Sequence, residues 1–204
     1  MQAVTVGAIV TTQNASTDIA RQNLMPDLSH LDSKNSLNAI LNMVFGGRIF
    51  GHPGQGLLTS YVRVMDKTVL EYEAARSALS EWIASPNNVM SPLFRTIDHL
   101  ETCVDSLHRV SLFAERLRRL DGAPAIDRPK LPHQRERDQI RQARDAIQHA
   151  DDDILEDKTG APNGHSVALL PMESAFEVGG HEVRYVDLAR WIEKYHALVR
   201  DLIH

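Results

Sequence analysis

Residues 57–83 read LLTSYVRVMDKTVLEYEAARSALSEWI, and this stretch decides the fold. Its large apolar residues recur at steps of three and four, the spacing that puts side chains on one face of an α-helix. They are Leu58, Tyr61, Val62, Met65, Val69, Tyr72, Leu79, Trp82 and Ile83. The pattern predicts one long amphipathic helix. It ends before Pro86, because a proline disfavours a helical residue in front of it.

Two further helices are predicted by the same spacing, one over residues 93–120 and one from about His133 to Asp157. The linker between them contains three prolines, which are typical of a break between helices. A last helix is expected to begin near Asp187, whose carboxylate is a good N-cap. The sequence therefore predicts four long helices and a mainly α fold.

Strand character follows the third helix. Val167 and Leu169 alternate with other residues, as in a half-buried strand. Phe176–Val178 and His181–Tyr185 then flank Gly179-Gly180, and a glycine pair between two short runs is typical of a β-hairpin turn. We expect a small β-hairpin inserted between the third and fourth helices.

Residues 1–56 differ in character from the rest of the chain. They hold equal numbers of basic and acidic residues, so the net charge of −5 lies in residues 57–204. Val4–Thr12 is a predicted strand and Ser36–Phe45 a predicted short helix. Five glycines and a proline in residues 46–56 then break the periodic pattern. We interpret residues 1–56 as an N-terminal appendage with a Gly-rich joint, and residues 57–204 as the helical domain.

Length, charge and cysteine content exclude several classes of protein. The 204 residues fit one domain, or one domain with an appendage. A net charge of −5 excludes a protein that coats nucleic acid by bulk electrostatics. The single cysteine, Cys103, excludes an intramolecular disulfide and a zinc site built on cysteine pairs. No apolar run reaches the roughly 18 residues of a membrane span, so we expect a cytoplasmic protein without membrane contact.

The densest group of polar residues lies on the third predicted helix. Its members are Arg135, Arg137, Arg141, Arg144, Asp145, Gln148 and His149. If Ile140 marks the core face, a rotation of about 100° per residue turns Arg141, Asp145 and His149 away from the core. Arg144 falls between the two faces. These side chains can therefore face solvent, a partner or a substrate.

Residues Arg144–His149, with the sequence RDAIQH, resemble the Arg-x4-6-His motif of the HEPN superfamily (higher eukaryotes and prokaryotes nucleotide-binding domains). That family has a compact bundle of about four helices. Its active members are metal-independent endoribonucleases that act as homodimers, with two motifs meeting at the interface. The resemblance implies that residues 57–204 form a HEPN-like four-helix bundle. The appendage and the hairpin depart from the family pattern.

The resemblance also implies that Arg144, Asp145 and His149 are catalytic. Cleavage of RNA by its own 2′-hydroxyl needs a base, an acid and positive charge beside the developing phosphorane. Histidine titrates near neutral pH, and arginine presents N–H groups that match phosphate oxygens. We expect Asp145 to orient His149 or raise its pKa, and Arg137 and Arg141 to bind RNA. No metal and no cofactor is expected.

Other interpretations remain open at this point. The motif is also compatible with a solvated helix face carrying pairs such as Asp145–His149. The acidic run Asp151–Asp153 would repel an RNA backbone, and it suits a basic partner or, with His149, a metal ion. The alternative function is a non-catalytic helical module for dimerisation or protein interaction. The family resemblance places the preferred function in a toxin–antitoxin or defence system, with an antitoxin as a candidate protein partner.

Overall fold

The computed structural model describes residues 25–31, 52–85, 90–120, 131–155, 167–170 and 174–203. Within them the chain forms four helices and one three-stranded antiparallel sheet, which confirms the mainly α class. The helices are α1 (His52–Ala84), α2 (Met90–Arg118), α3 (Gln134–Leu155) and α4 (Tyr185–Ile203). The strands are β1 (Val167–Leu170), β2 (Ala175–Val178) and β3 (His181–Arg184). No helix in these ranges is long and apolar enough to cross a bilayer.

Helices α1 and α2 pack against each other in antiparallel orientation and supply much of the core. His99 Nδ1 lies 2.8 Å from Glu71 Oε2, and nearer the connection Arg95 Nη2 donates to Glu81 Oε2 at 2.6 Å. Cys103 is fully buried between the two helices, and burial raises the pKa of its thiol well above the usual range. It is therefore a core residue.

Helix α1 begins at His52, which corrects the prediction that regular structure is broken throughout residues 46–56. The physical reason is the position of Pro53 in the first turn. There a backbone N–H has no acceptor within the helix, so a proline loses nothing. Gly54 and Gly56 continue the helix, although glycine costs about 1 kcal/mol relative to alanine inside one.

Residues 25–31 pack against α1. Met25 and Leu28 are buried in the common core. The Leu28 N–H donates to Glu73 Oε1 at 2.7 Å, and the Tyr72 hydroxyl donates to the Pro26 carbonyl at 3.0 Å. Part of the proposed appendage therefore contacts the helices. The predicted strand at residues 4–12 and helix at residues 36–45 lie outside the described residues, and the division of the chain at residue 56 stays a prediction.

The sheet contains the predicted hairpin and one further strand. Strand β2 lies in the centre and pairs antiparallel with β1 and β3. Gly179 and Gly180 join β2 to β3 with φ angles of +52° and +75°, a conformation that favours glycine at both positions. The turn lies against α3, because a Cβ built on Gly179 would be 2.6 Å from the Ala146 Cβ.

The N-terminus of α3 is joined to α4 through Glu136. The Glu136 carboxylate accepts hydrogen bonds from the backbone N–H of His133 at 2.6 Å and from Lys194 Nζ at 2.9 and 3.0 Å. Burial acts to raise the pKa of Glu136, but these hydrogen bonds and the charges of Lys194 and Arg190 outweigh it and hold the pKa below its ordinary value. Glu136 therefore both caps α3 and fixes α4 against it.

Helix α4 begins at Tyr185, two residues before its predicted start. Strand β3 runs directly into the helix, and the Tyr185 N–H donates to the Ser174 carbonyl at 2.9 Å. Asp187 therefore lies in the first turn instead of at the N-cap. Its carboxylate accepts from Arg184 Nε at 2.7 Å and lies 2.8 Å from Arg190 Nη2. A negative charge in a first helical turn is favourable to the helix dipole.

Candidate functional site

Helix α3 presents one apolar and one polar face, as its sequence predicts. Ile140 and Ala143 are buried in the core, whereas Arg141 and His149 are exposed. The helix runs antiparallel to α2, since Arg137 pairs with Glu115 near the end of α2 and Arg144 reaches Asp105 further back. The polar face of α3 therefore lies next to the side of α2 that carries Asp105 and Glu115.

Arg144 is held between two carboxylates, one on each helix. Its Nε lies 3.7 Å from Asp105 Oδ1 on α2, and its Nη1 donates to Asp145 Oδ1 at 3.1 Å. The side chain is 28% exposed, so the guanidinium is half-buried yet reachable from solvent. Two negative charges therefore lie beside the positive charge of Arg144.

His108 on α2 shares the electrostatic environment of Arg144. Burial lowers the pKa of the imidazole, and the charge of Arg144 lowers it further. The carboxylates of Asp145 and Asp105 act in the opposite direction without cancelling the effect, so the pKa lies below the ordinary value of 6.5. The imidazole is therefore neutral at neutral pH and can accept a proton. We call Asp105, His108, Arg141, Arg144 and Asp145 the Arg144 cluster.

His108 and Asp105 were not among the predicted site residues. Their spacing of three residues puts them on one side of α2, and this signal was visible in the sequence. Nothing in the sequence, however, showed that this side of α2 packs next to Arg144. Only the antiparallel packing of α3 on α2 brings the two segments together.

His149 points in a different direction from Arg144. The two residues are five positions apart on α3, which corresponds to a rotation of about 140° around the helix axis. Arg144 faces α2, whereas His149 is exposed on the outer side of α3. The structure thus brings Arg144 and Asp145 together and places His149 on the adjacent outer surface. Asp145, predicted to act on His149, carries a hydrogen bond from Arg144.

The two arginines predicted to bind RNA differ in their surroundings. Arg141 is 59% exposed and lies 3.3 Å from Asp138 Oδ1, one turn earlier on α3. Arg137 is only 21% exposed and forms an ion pair with Glu115 of α2. Arg141 is therefore available to a ligand at the surface, while Arg137 also helps to hold α3 against α2.

The carboxylate of Glu115, near the end of α2, lies next to three arginine side chains. It lies 3.0 Å from Arg118 Nη2 and 3.7 Å from Arg119 Nη2, and it also pairs with Arg137. We call these four residues the Glu115 cluster. Three positive charges face one negative charge, so the cluster is a locally basic surface on a chain that is acidic as a whole.

Two exposed apolar side chains lie on the same side of α2 as Asp105. Phe94 is 49% exposed and Leu112 is 43% exposed. A whole number of helical turns separates the two residues, so both project from one side of the helix. This side of α2 thus combines charged and apolar groups.

The described part of the chain contains no group of three or more His, Cys, Asp or Glu side chains that could hold a metal ion. The side chains of the acidic run Asp151–Asp153, considered above for a metal or a basic partner, lie outside that part. The arrangement can position a phosphate through guanidinium groups and can exchange a proton through a histidine. No family model, no curated protein and no solved structure matches the chain.

Proposed function

We propose that this protein is a metal-independent endoribonuclease of the HEPN type, which binds RNA on the surface shared by α2 and α3. The observation that carries the proposal is the Arg144 cluster. In it, the guanidinium of Arg144, flanked by Asp105 and Asp145, helps to lower the pKa of His108. A neutral histidine and a positive charge are two of the three groups that cleavage of RNA by its own 2′-hydroxyl needs, and the third is an acid.

The residues take separate roles in this proposal. Arg144 stabilises the negative charge that develops on the phosphorane, and Asp105 and Asp145 hold it in place. His108 is the candidate base, because its lowered pKa keeps it unprotonated near pH 7. His149 is the candidate acid that protonates the leaving 5′-oxygen. Arg141 contacts a neighbouring phosphate from its exposed position.

A C2 homodimer completes the proposed site. His149 and Arg144 of one chain diverge around α3, so the exposed His149 of a second copy is the group that can approach Arg144. The exposed Phe94 and Leu112 provide apolar area on the same surface. Light scattering of the purified chain tests the assembly, and a stable monomer would contradict this part of the proposal.

Cleavage of a mixed RNA pool in the presence of EDTA tests the activity. Arg144→Ala and His149→Ala are each expected to lower the cleavage rate by about 100-fold, and products should carry cyclic phosphate ends. His181→Ala, which removes an exposed histidine on β3, is the matched control and should cleave like the wild type. Circular dichroism verifies folding of all variants. Wild-type protein that binds RNA and never cleaves it would exclude the nuclease.

The second candidate is a non-catalytic helical module for dimerisation or protein interaction. The observation that favours it is that Phe94 and Leu112 are both exposed on one side of α2. A toxin–antitoxin or defence setting, with an antitoxin on this surface, is part of the proposal through the HEPN resemblance. Recovery of a stoichiometric protein complex from a chain that cleaves no RNA would favour this alternative.

A further inference from the structure

The Glu115 cluster has more positive charge than its internal contacts need. Arg118 and Arg137 are 25% and 21% exposed and lie against the Glu115 carboxylate, whereas Arg119 is 76% exposed and 3.7 Å away from it. A single carboxylate balances one guanidinium, so two positive charges remain. Arg119 is the member with the most freedom to turn towards a ligand.

The cluster lies in line with the Arg144 cluster on the same pair of helices. Arg137 and Arg144 are seven residues apart on α3, which is two turns and about 10.5 Å along the axis. Both reach towards α2, and the exposed Arg141 lies between them. A stacked nucleic-acid strand advances about 3.4 Å per nucleotide. The distance therefore corresponds to about three nucleotides.

We propose that the Glu115 cluster is a binding site for a backbone phosphate of single-stranded RNA. The proposal rests on the function proposed above, because the Glu115 cluster would bind the same RNA strand as the Arg144 cluster, about three nucleotides away. Arg119 and Arg137 contact the phosphate oxygens, since the planar guanidinium can donate two parallel hydrogen bonds to them. Glu115 competes with the phosphate for these groups and so limits the affinity.

Fluorescence anisotropy with a short labelled RNA, measured over a series of salt concentrations, tests the site. Arg119→Gln is expected to weaken binding by about tenfold, the cost of one charge-assisted hydrogen-bonded contact. It should also reduce the slope of log K against log salt by about 0.7, the value for one lost phosphate contact on a single strand. Arg95→Gln, at the other end of α2 and paired with Glu81, is the matched control and should bind like the wild type.

Glu115→Gln separates ligand binding from a purely structural role. If the carboxylate competes with phosphate, its neutralisation tightens RNA binding several-fold even though the ion pairs are lost. If the cluster serves only to hold α3 on α2, the substitution lowers Tm and leaves the affinity unchanged or weaker, and the proposal is wrong. A competition experiment adds a second test. If poly-glutamate displaces the labelled RNA with the same efficiency as unlabelled RNA, the site binds any polyanion and the proposal of an RNA site is wrong.

The binding assay is independent of cleavage. Every binding measurement is made on the full chain carrying His149→Ala, so that the labelled RNA stays intact, and this parent protein is the reference for the Arg119, Arg95 and Glu115 substitutions. If RNA binds with the expected dependence on Arg119 but the wild type cleaves nothing, the phosphate site stands and the nuclease is excluded. If the wild type cleaves RNA and Arg119→Gln changes neither affinity nor salt slope, the nuclease stands and the phosphate site is excluded.

Discussion

Arg144 Nε on α3 lies 3.7 Å from Asp105 Oδ1 on α2, and this contact connects two segments that are far apart in the chain. It places the half-buried guanidinium at the junction of the two helices. On the same side of α2, His108 lies one turn after Asp105 and within the electrostatic influence of Arg144. His149, by contrast, is exposed on the outer side of α3.

Removal of the Arg144 charge is expected to raise the pKa of His108 towards its ordinary value. In Arg144→Met the imidazole loses the positive charge that lowers its pKa most, while Asp105 and Asp145 still favour its protonated form. NMR titration of the His108 ring protons measures the change. Arg141→Gln is the graded comparison, because Arg141 has the weakest effect on this pKa and should raise it less. Equal pKa values in all three proteins would contradict the proposed coupling.

The lowered pKa of His108 also predicts how the imidazole affects the free energy of unfolding. The folded state holds His108 less protonated than the unfolded state, so its contribution is fully present above about pH 6.5. The contribution is lost as the pH falls through the lower pKa of the folded state. Urea unfolding at a series of pH values should therefore show a shallower decrease of stability on the acid side in His108→Gln than in the wild type.

Gly179 and Gly180 are expected to tolerate alanine unequally. Both have positive φ, which costs an alanine about 1 kcal/mol or more. Gly179→Ala additionally forces its Cβ within 2.6 Å of the Ala146 Cβ, whereas a Cβ at Gly180 meets nothing within 4 Å. Chemical denaturation should show that Gly179→Ala is the more destabilising by about 1–3 kcal/mol.

The double variant Gly179→Ala with Ala146→Gly isolates the steric contribution. It removes the atom that the new Cβ would meet, so the two substitutions should cost less together than the sum of their separate effects. Strict additivity would show that the turn does not press on α3.

Much of the architecture could be predicted because it rests on local patterns. The three- and four-residue spacing between Leu58 and Ile83 located α1, and the pair Gly179-Gly180 located the turn. The start of α1 was misplaced, because glycine and proline near a helix start resemble a break when only local rules apply. The relation of His108 to Arg144 could not be predicted, since it depends on the packing of two helices and not on either sequence alone.

Loss of the Lys194 charge is expected to destabilise the fold. Lys194→Met leaves the buried Glu136 carboxylate with Arg190 and the His133 N–H but without its two shortest side-chain contacts, at a cost of about 2 kcal/mol. Thermal unfolding measures the loss, and Lys67→Met, an exposed lysine on α1, is the control.

A pH series adds a second test of this contact. Because the pKa of Glu136 is below its ordinary 4.5, its contribution is present above that pH and is lost as the pH falls through the lower folded pKa. The difference between Lys194→Met and the wild type should therefore shrink in acid. A constant difference at every pH would contradict the ion pair.

A chain that begins at residue 52 is expected to unfold cooperatively but at a lower Tm than the full chain. The four helices keep most of their core, while Tyr72 and Glu73 lose their hydrogen-bonded partners in residues 25–31. Differential scanning calorimetry measures the cooperativity of the transition and the Tm. Leu28→Ala in the full chain should also lower Tm, because it lowers the free energy of unfolding by about 2–4 kcal/mol. Loss of a cooperative transition in the shortened chain would show that the boundary at residue 56 is wrong.

The contact between the glycine turn and α3 has a consequence for the hexapeptide RDAIQH itself. Ala146 is its third residue, and the turn lies directly against that position, since a Cβ built on Gly179 would be 2.6 Å from the Ala146 Cβ. The spacer between Arg144 and His149 is thus in contact with a β-turn that lies well beyond it in the chain. A library that randomises position 146 should return mainly alanine and glycine, even when it is selected only for folding.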